Sequence, residues 1–162
     1  MRATTRAVLV ALVCTPLLAF AQDKPTPQEA RKVIDYYFNG KGKGVVPMEI
    51  KLCKEVALKG EMKNECVKEV SNKKVAKGED VYLWMNFLVP AGEESKILVQ
   101  YSRNDLVRDT TNVTLGGATR YRTWMKIPTS TTGSWKAKML QEMENADMSI
   151  GEVEFSVVEA SQ

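Results

Sequence analysis

Hydrophobic and polar residues alternate along this chain with two different periods, and the change from one to the other divides it. Ala30, Val33, Ile34 and Tyr37 recur at helical spacing behind Thr26-Pro27-Gln28-Glu29. That tetrapeptide carries a capping hydroxyl, a proline at the first helical position and an acid three residues after the cap. The pattern predicts one amphipathic helix over residues 27–38, stopped by Gly40. Gly40-Lys41-Gly42-Lys43-Gly44 then reads as a flexible linker.

Beyond Val45 the helical period gives way to short runs of strand type. These are Met48 to Val56, Glu65 to Val70, Val81 to Val89, Lys96 to Tyr101, Asn112 to Leu115, Thr119 to Ile127, Ser134 to Leu140 and Glu152 to Val158. Turn chemistry separates them at Lys77-Gly78, Pro90-Ala91-Gly92, Gly116-Gly117, Pro128 to Gly133 and Gly151. Many short strands punctuated in this way predict an all-β antiparallel sandwich over residues 45–162. Near the C-terminus Trp135, Ala137 and Met139 alternate with Lys136 and Lys138, and Val153, Phe155 and Val157 with Glu152, Glu154 and Ser156. Each of those strands buries one face. Val81 to Val89 is apolar on both, with Leu83, Met85 and Phe87 on one face and Tyr82 and Trp84 on the other, so it is a central strand or its second face is covered.

The first 21 residues do not belong to this pattern. Arg2 and Arg6 precede an apolar run from Ala7 to Leu18, too short for the roughly 20 residues that span a bilayer. Ala19-Phe20-Ala21 follows with small residues where a signal peptidase reads, which predicts cleavage before Gln22. A lipoprotein anchored at Cys14 is the alternative, although the bulky Val13 just before it is a poor context. The reading is therefore a signal peptide (1–21), a helix and linker (22–44) and a sandwich (45–162), exported to the periplasm or secreted and not membrane-spanning after cleavage.

Export changes what charge and cysteine mean. Of 23 basic side chains, Arg2 and Arg6 leave with the signal, so 21 face 20 acidic ones, a net of +1. That balance carries no electrostatic footprint for nucleic acid. Cys53 and Cys66 remain as an even pair in a compartment that permits disulfides. A two-residue turn at Lys59-Gly60 would place them opposite each other on a hairpin, and their bridge would be worth about 3 kcal/mol.

The segments Arg120-Tyr121-Arg122-Thr123-Trp124, Gly133-Ser134-Trp135-Lys136-Ala137 and Val153-Glu154-Phe155-Ser156-Val157 form a recognisable series. It resembles the closing strands of bacterial immunoglobulin-like domains, and most closely domain of unknown function 2914, over roughly residues 80–158. The resemblance implies an immunoglobulin-like sandwich and brings no catalytic residue with it.

The chain has no histidine, which removes the commonest general base and metal ligand. Carboxylates at Glu93, Glu94, Glu142, Glu144 and Asp147 fall in expected turns, and Asp105 and Asp109 are interleaved with Arg103 and Arg108. Met139, Met143 and Met148 offer soft sulfur donors of the kind that bind copper(I), but Met139 fits a core position of its strand, and neither histidine nor close methionine pairs accompany them. The expectation is a domain that is not an enzyme and has no cofactor, acting as a binding or interaction module for an envelope protein or glycan. A carboxylate-dependent hydrolase and a metal or redox accessory protein are the alternatives. If Leu83, Met85 and Phe87 point inward, Tyr82, Trp84 and Asn86 point out. Choosing Tyr121, Met125 and Ile127 as inward likewise sends Arg120, Arg122 and Trp124 out. Tyr82, Trp84, Arg120, Arg122 and Trp124 are therefore the candidate binding residues, with the helix expected to cover them through Val33, Ile34 and Tyr37.

Overall fold

A computed structural model describes residues 26–38, 44–90, 94–143 and 146–160. The signal segment, the Gln22 cleavage point and linker residues 40–43 lie outside them. One helix, α1 (Pro27–Phe38), precedes nine strands: β1 (Val46–Val56), β2 (Cys66–Glu69), β3 (Lys74–Ala76), β4 (Tyr82–Val89), β5 (Ser95–Arg103), β6 (Leu106–Leu115), β7 (Ala118–Lys126), β8 (Gly133–Gln141) and β9 (Met148–Val158). The helix starts as its sequence predicts. Thr26 Oγ1 accepts from the Glu29 N–H at 3.2 Å while Glu29 Oε2 accepts from the Thr26 N–H at 2.7 Å, a reciprocal capping box.

The strands form two sheets, in the orders β2-β1-β4-β7 and β3-β9-β8-β5-β6. β1, β4 and β7 occupy the places of strands A, B and E of an immunoglobulin sandwich, and β6, β5, β8 and β9 those of C′, C, F and G. All pairings are antiparallel except β3 with β9, which is parallel. The faces assigned from alternation hold. Leu83, Met85 and Phe87 are fully buried between the sheets, against Ile97, Val99, Ala137, Met139 and Phe155 of the other layer. Tyr121, Met125 and Ile127 also pack on this core. At its end Trp135 and Phe155 stack with centroids 6.3 Å apart.

The chain enters the sandwich at a tight point. Gly44 has φ +105°, and a Cβ there would fall inside the Gln141 side chain, whose Oε1 accepts from the Val45 N–H at 3.0 Å. Only glycine supplies both the left-handed backbone and the space.

Four sequence-based expectations need correction. Gly151 marks no turn but lies inside β9 opposite Met139. The β1–β2 connection is not a two-residue turn at Lys59-Gly60 but a nine-residue loop, 57–65. It is closed by mutual bonds between Ala57 and Glu65 or Asn64 and carries a left-handed residue at Gly60 and at Asn64. Cys53 consequently pairs with Glu69 in the ladder and Cys66 with Val56, with register shifts between. The two cysteines still meet, with Cα atoms 5.8 Å apart and the disulfide formed, because the bulged strand brings Cys53 back toward the start of β2. Short β3 was not expected, since Lys74-Val75-Ala76 contains too few residues to show alternation. β6 begins at Leu106 rather than Asn112, so the charged stretch Arg108-Asp109 lies on a strand and not in a loop.

Candidate functional site

Register places the candidate residues together. Trp84 is opposite Lys51 of β1 on one side and Trp124 of β7 on the other; Asn86 lies between Glu49 and Arg122; Tyr82 lies between Cys53 and Lys126. Partners in an antiparallel ladder point to the same face. These three rows therefore make one surface, the outer face of the β2-β1-β4-β7 sheet, with Arg120 two residues beyond Arg122 on β7. All five residues singled out from the sequence share it.

Their exposure differs. Trp84 is 1% exposed, whereas Tyr82, Trp124, Arg120 and Arg122 are half-buried. The β1–β2 loop lies over Trp84. Its indole N–H donates to the Asn64 carbonyl at 2.7 Å, and Lys51 Nζ stands 4.9 Å from the ring centroid. Glu65, at the end of the same loop, holds Arg122 at 2.7 Å. The disulfide clamps this loop from the same face, because Cys53 is aligned with Tyr82 and completely buried.

The helix lies over the other end of the face. Glu29 Oε1 is 3.6 Å from Arg120 Nε, and Lys32 Nζ donates to the Met48 carbonyl at 2.5 Å. Ile34 is 53% exposed and so does not seal the aromatic rings as expected; Val33 is half-buried, and the Tyr37 side chain lies outside the described residues. Glu29 of its N-terminal turn, with Lys32 beyond it, meets the sheet through polar contacts. Between that turn and the strands is a polar pocket of about 300 Å3 lined by Thr26, Gln28, Glu29, Lys32, Glu49 and Asn86. Asn86 is 2% exposed, and its buried Oδ1 has no hydrogen-bond partner among the described residues.

Lys51, Glu65 and Asn64 were not anticipated as part of this surface. The alternation Glu49, Lys51, Cys53 in β1 could have placed Lys51 there. Nothing local predicts that the loop folds back over Trp84.

On the opposite sheet an open groove of about 580 Å3 is lined by Ser102, Ser134, Ser156, Lys74, Lys136 and Glu154 among others. Its Glu154 carboxylate is engaged by Lys136 at 3.0 Å. Among the described residues four groups titrate away from their ordinary values. Hydrogen bonds from Lys54 and the Ala76 N–H hold Glu79 low, carboxylate partners Asp80 and Glu154 hold Lys126 and Lys136 high, and burial raises Tyr101. All four shifts lead away from neutrality, the range in which general acid–base catalysis is most effective. Among the described residues no three His, Cys, Asp or Glu side chains converge to hold a metal, and no helix is long and apolar enough to cross a membrane. No protein-family model matches the chain, and no curated protein matches it in sequence.

Proposed function

We propose that this chain is an exported, non-enzymatic binding module of the bacterial envelope, related to domain of unknown function 2914, whose contact surface is the outer face of the β2-β1-β4-β7 sheet. The observation that carries the reading is the geometry of that face. Two half-buried rings, Tyr82 and Trp124, flank fully covered Trp84, and two guanidiniums beside them are oriented by Glu29 and Glu65. Rings and oriented arginines are the groups that anchor protein partners and stack on sugars. A glycan or a protein loop presenting a flat face and an anion fits them.

Binding is expected to depend on Trp124 and Arg122. Intrinsic tryptophan fluorescence should report titration with soluble peptidoglycan fragments, and immobilised protein should retain the same envelope proteins in repeated pull-downs. Trp124→Ala and Arg122→Ala should each weaken whichever interaction is found by about tenfold or more. Full binding by both variants, with unchanged circular dichroism, would place the contact elsewhere.

Export is supported by the signal-like segment and by the Cys53–Cys66 bond, which persists in oxidising compartments. The exported protein should begin at Gln22 in mass spectrometry. A species that keeps residues 1–21, or one acylated at Cys14, would count against this reading.

A further inference from the structure

Asn86 is buried without its hydrogen bond at the wall of a polar pocket. It is 2% exposed, sits between Glu49 and Arg122 in the ladder, and its Oδ1 has no partner among the described residues. A buried acceptor left without a donor is a standing cost, which proteins meet with ordered water or a ligand. Oδ1 is shielded from bulk water, so the donor it lacks has to come from within the pocket. At about 300 Å3 that pocket is far larger than one bridging water needs.

The charges around it are already balanced. Glu29 accepts from the Thr26 N–H with one oxygen and stands 3.6 Å from Arg120 with the other, and Glu49 Oε1 is held by Lys51 at 2.8 Å. A cation entering here would meet the positive end of the α1 dipole, and an anion would meet two carboxylates. Neither sign is favoured. The capacity that remains is for hydrogen bonding of both kinds: Asn86 Oδ1 and the second Glu49 oxygen accept, two further hydrogens of Lys32 donate, and the Gln28 amide does either. Hydroxyl groups suit such a set, because each donates and accepts. Among the lining residues only Met48 is apolar, and it is itself buried, so an apolar side chain finds no wall to lie on.

We infer that this pocket, between the first turn of α1 and the strands, holds one neutral sugar ring of a glycan. The inference rests on the proposal that the outer sheet face is the contact surface, and it names the ligand class. Ring hydroxyls donate to Asn86 Oδ1 and the free Glu49 oxygen and accept from Lys32. The next row of the same face carries Trp84 and Trp124, and Trp124 is the diagonal neighbour of Asn86, a separation of about 7–8 Å in an antiparallel pair. A second ring of the same glycan therefore meets half-buried Trp124.

Amide NMR of the protein with glucose, galactose or N-acetylglucosamine at about 50 mM, which populates contacts of millimolar affinity, tests this. At least one sugar should shift the Asn86 side-chain amide and the Gln28 and Glu29 backbone amides saturably. Asn86→Ala and Glu49→Ala should each weaken that binding about tenfold. Glu49 is exposed, so its variant decides the matter if Asn86→Ala does not fold. Trp124→Ala should leave the single sugar bound and weaken a disaccharide of it about tenfold. No shift at these amides with any of the three sugars, or equal shifts with ethylammonium chloride or sodium sulfate, would overturn the inference. Peptidoglycan fragments that bind through Trp124 and Arg122 without moving these amides would also overturn it, while leaving the outer face as the contact surface. Saturable pocket shifts, with no ligand affected by Trp124→Ala or Arg122→Ala, would support the pocket and refute the wider face.

Discussion

Trp84→Ala is expected to destabilise the domain by about 3–5 kcal/mol, the range for deleting a large buried aromatic side chain. Trp84 is on the outside of its sheet and yet only 1% exposed. Its ring is enclosed by the β1–β2 loop, Lys51 and the strands beside it, so alanine leaves a void that neither rigid strand can close. The substitution also removes the donor to the Asn64 carbonyl, which frees the loop from the face. Urea denaturation measures the loss. Hydrogen exchange of residues 57–65 shows whether it is local, since the loop amides should exchange faster than those of β8 and β9. Trp124→Ala is the internal comparison. That ring is half-buried, so its loss should cost about half as much or less. Equal costs for the two, with loop exchange unchanged, would mean that the loop does not depend on Trp84.

Much of this architecture was legible because alternation reports which side of a strand is apolar. Leu83, Met85 and Phe87 against Tyr82, Trp84 and Asn86 is a period-two pattern in which neither side is polar, and it correctly implied a covered outer face. What covers it was not legible. A helix with an apolar stripe is the natural candidate, but Glu29 and Lys32 dock it by ion pairing and hydrogen bonding at the Arg120 and Met48 end, while Ile34 remains exposed. Polar contacts across 16 or more residues have no local signature.

The hairpin shows the same limit at shorter range. Lys59-Gly60 has turn chemistry, and Gly60 does adopt a positive φ. That the whole stretch 57–65 forms the loop has no signal of its own, because a loop closed by its own backbone bonds looks like any polar stretch. β6 was shortened for a related reason. Leu106-Val107-Arg108-Asp109-Thr110 has no buried face to impose alternation, so its pairing with β5 could be seen only in three dimensions. The five candidate residues were brought together correctly because their placement needed only parity within β4 and β7 and the adjacency of those two strands.

Removal of the disulfide by Cys53→Ser with Cys66→Ser is expected to lower stability by about 3 kcal/mol, the value for closing a loop of this size, here spanning 13 residues. The bond does not cross the sandwich core; it ties β1 to edge strand β2, and through β2 it fixes the loop that lies on Trp84. Without it the four-residue β2 is held mainly by ladder bonds interrupted by register shifts. Fraying of this edge should release the Glu65 carboxylate from Arg122 and the Asn64 carbonyl from the indole. Two readouts should therefore move together. The urea midpoint should fall, and tryptophan emission of the folded protein should shift to the red as water reaches Trp84. Reduction of the wild-type protein under native conditions should give the same red shift, with the β8–β9 amides still protected from exchange. A lower midpoint with unchanged emission would show that the disulfide stabilises the fold through the unfolded chain alone and that the loop keeps its place over Trp84 without it.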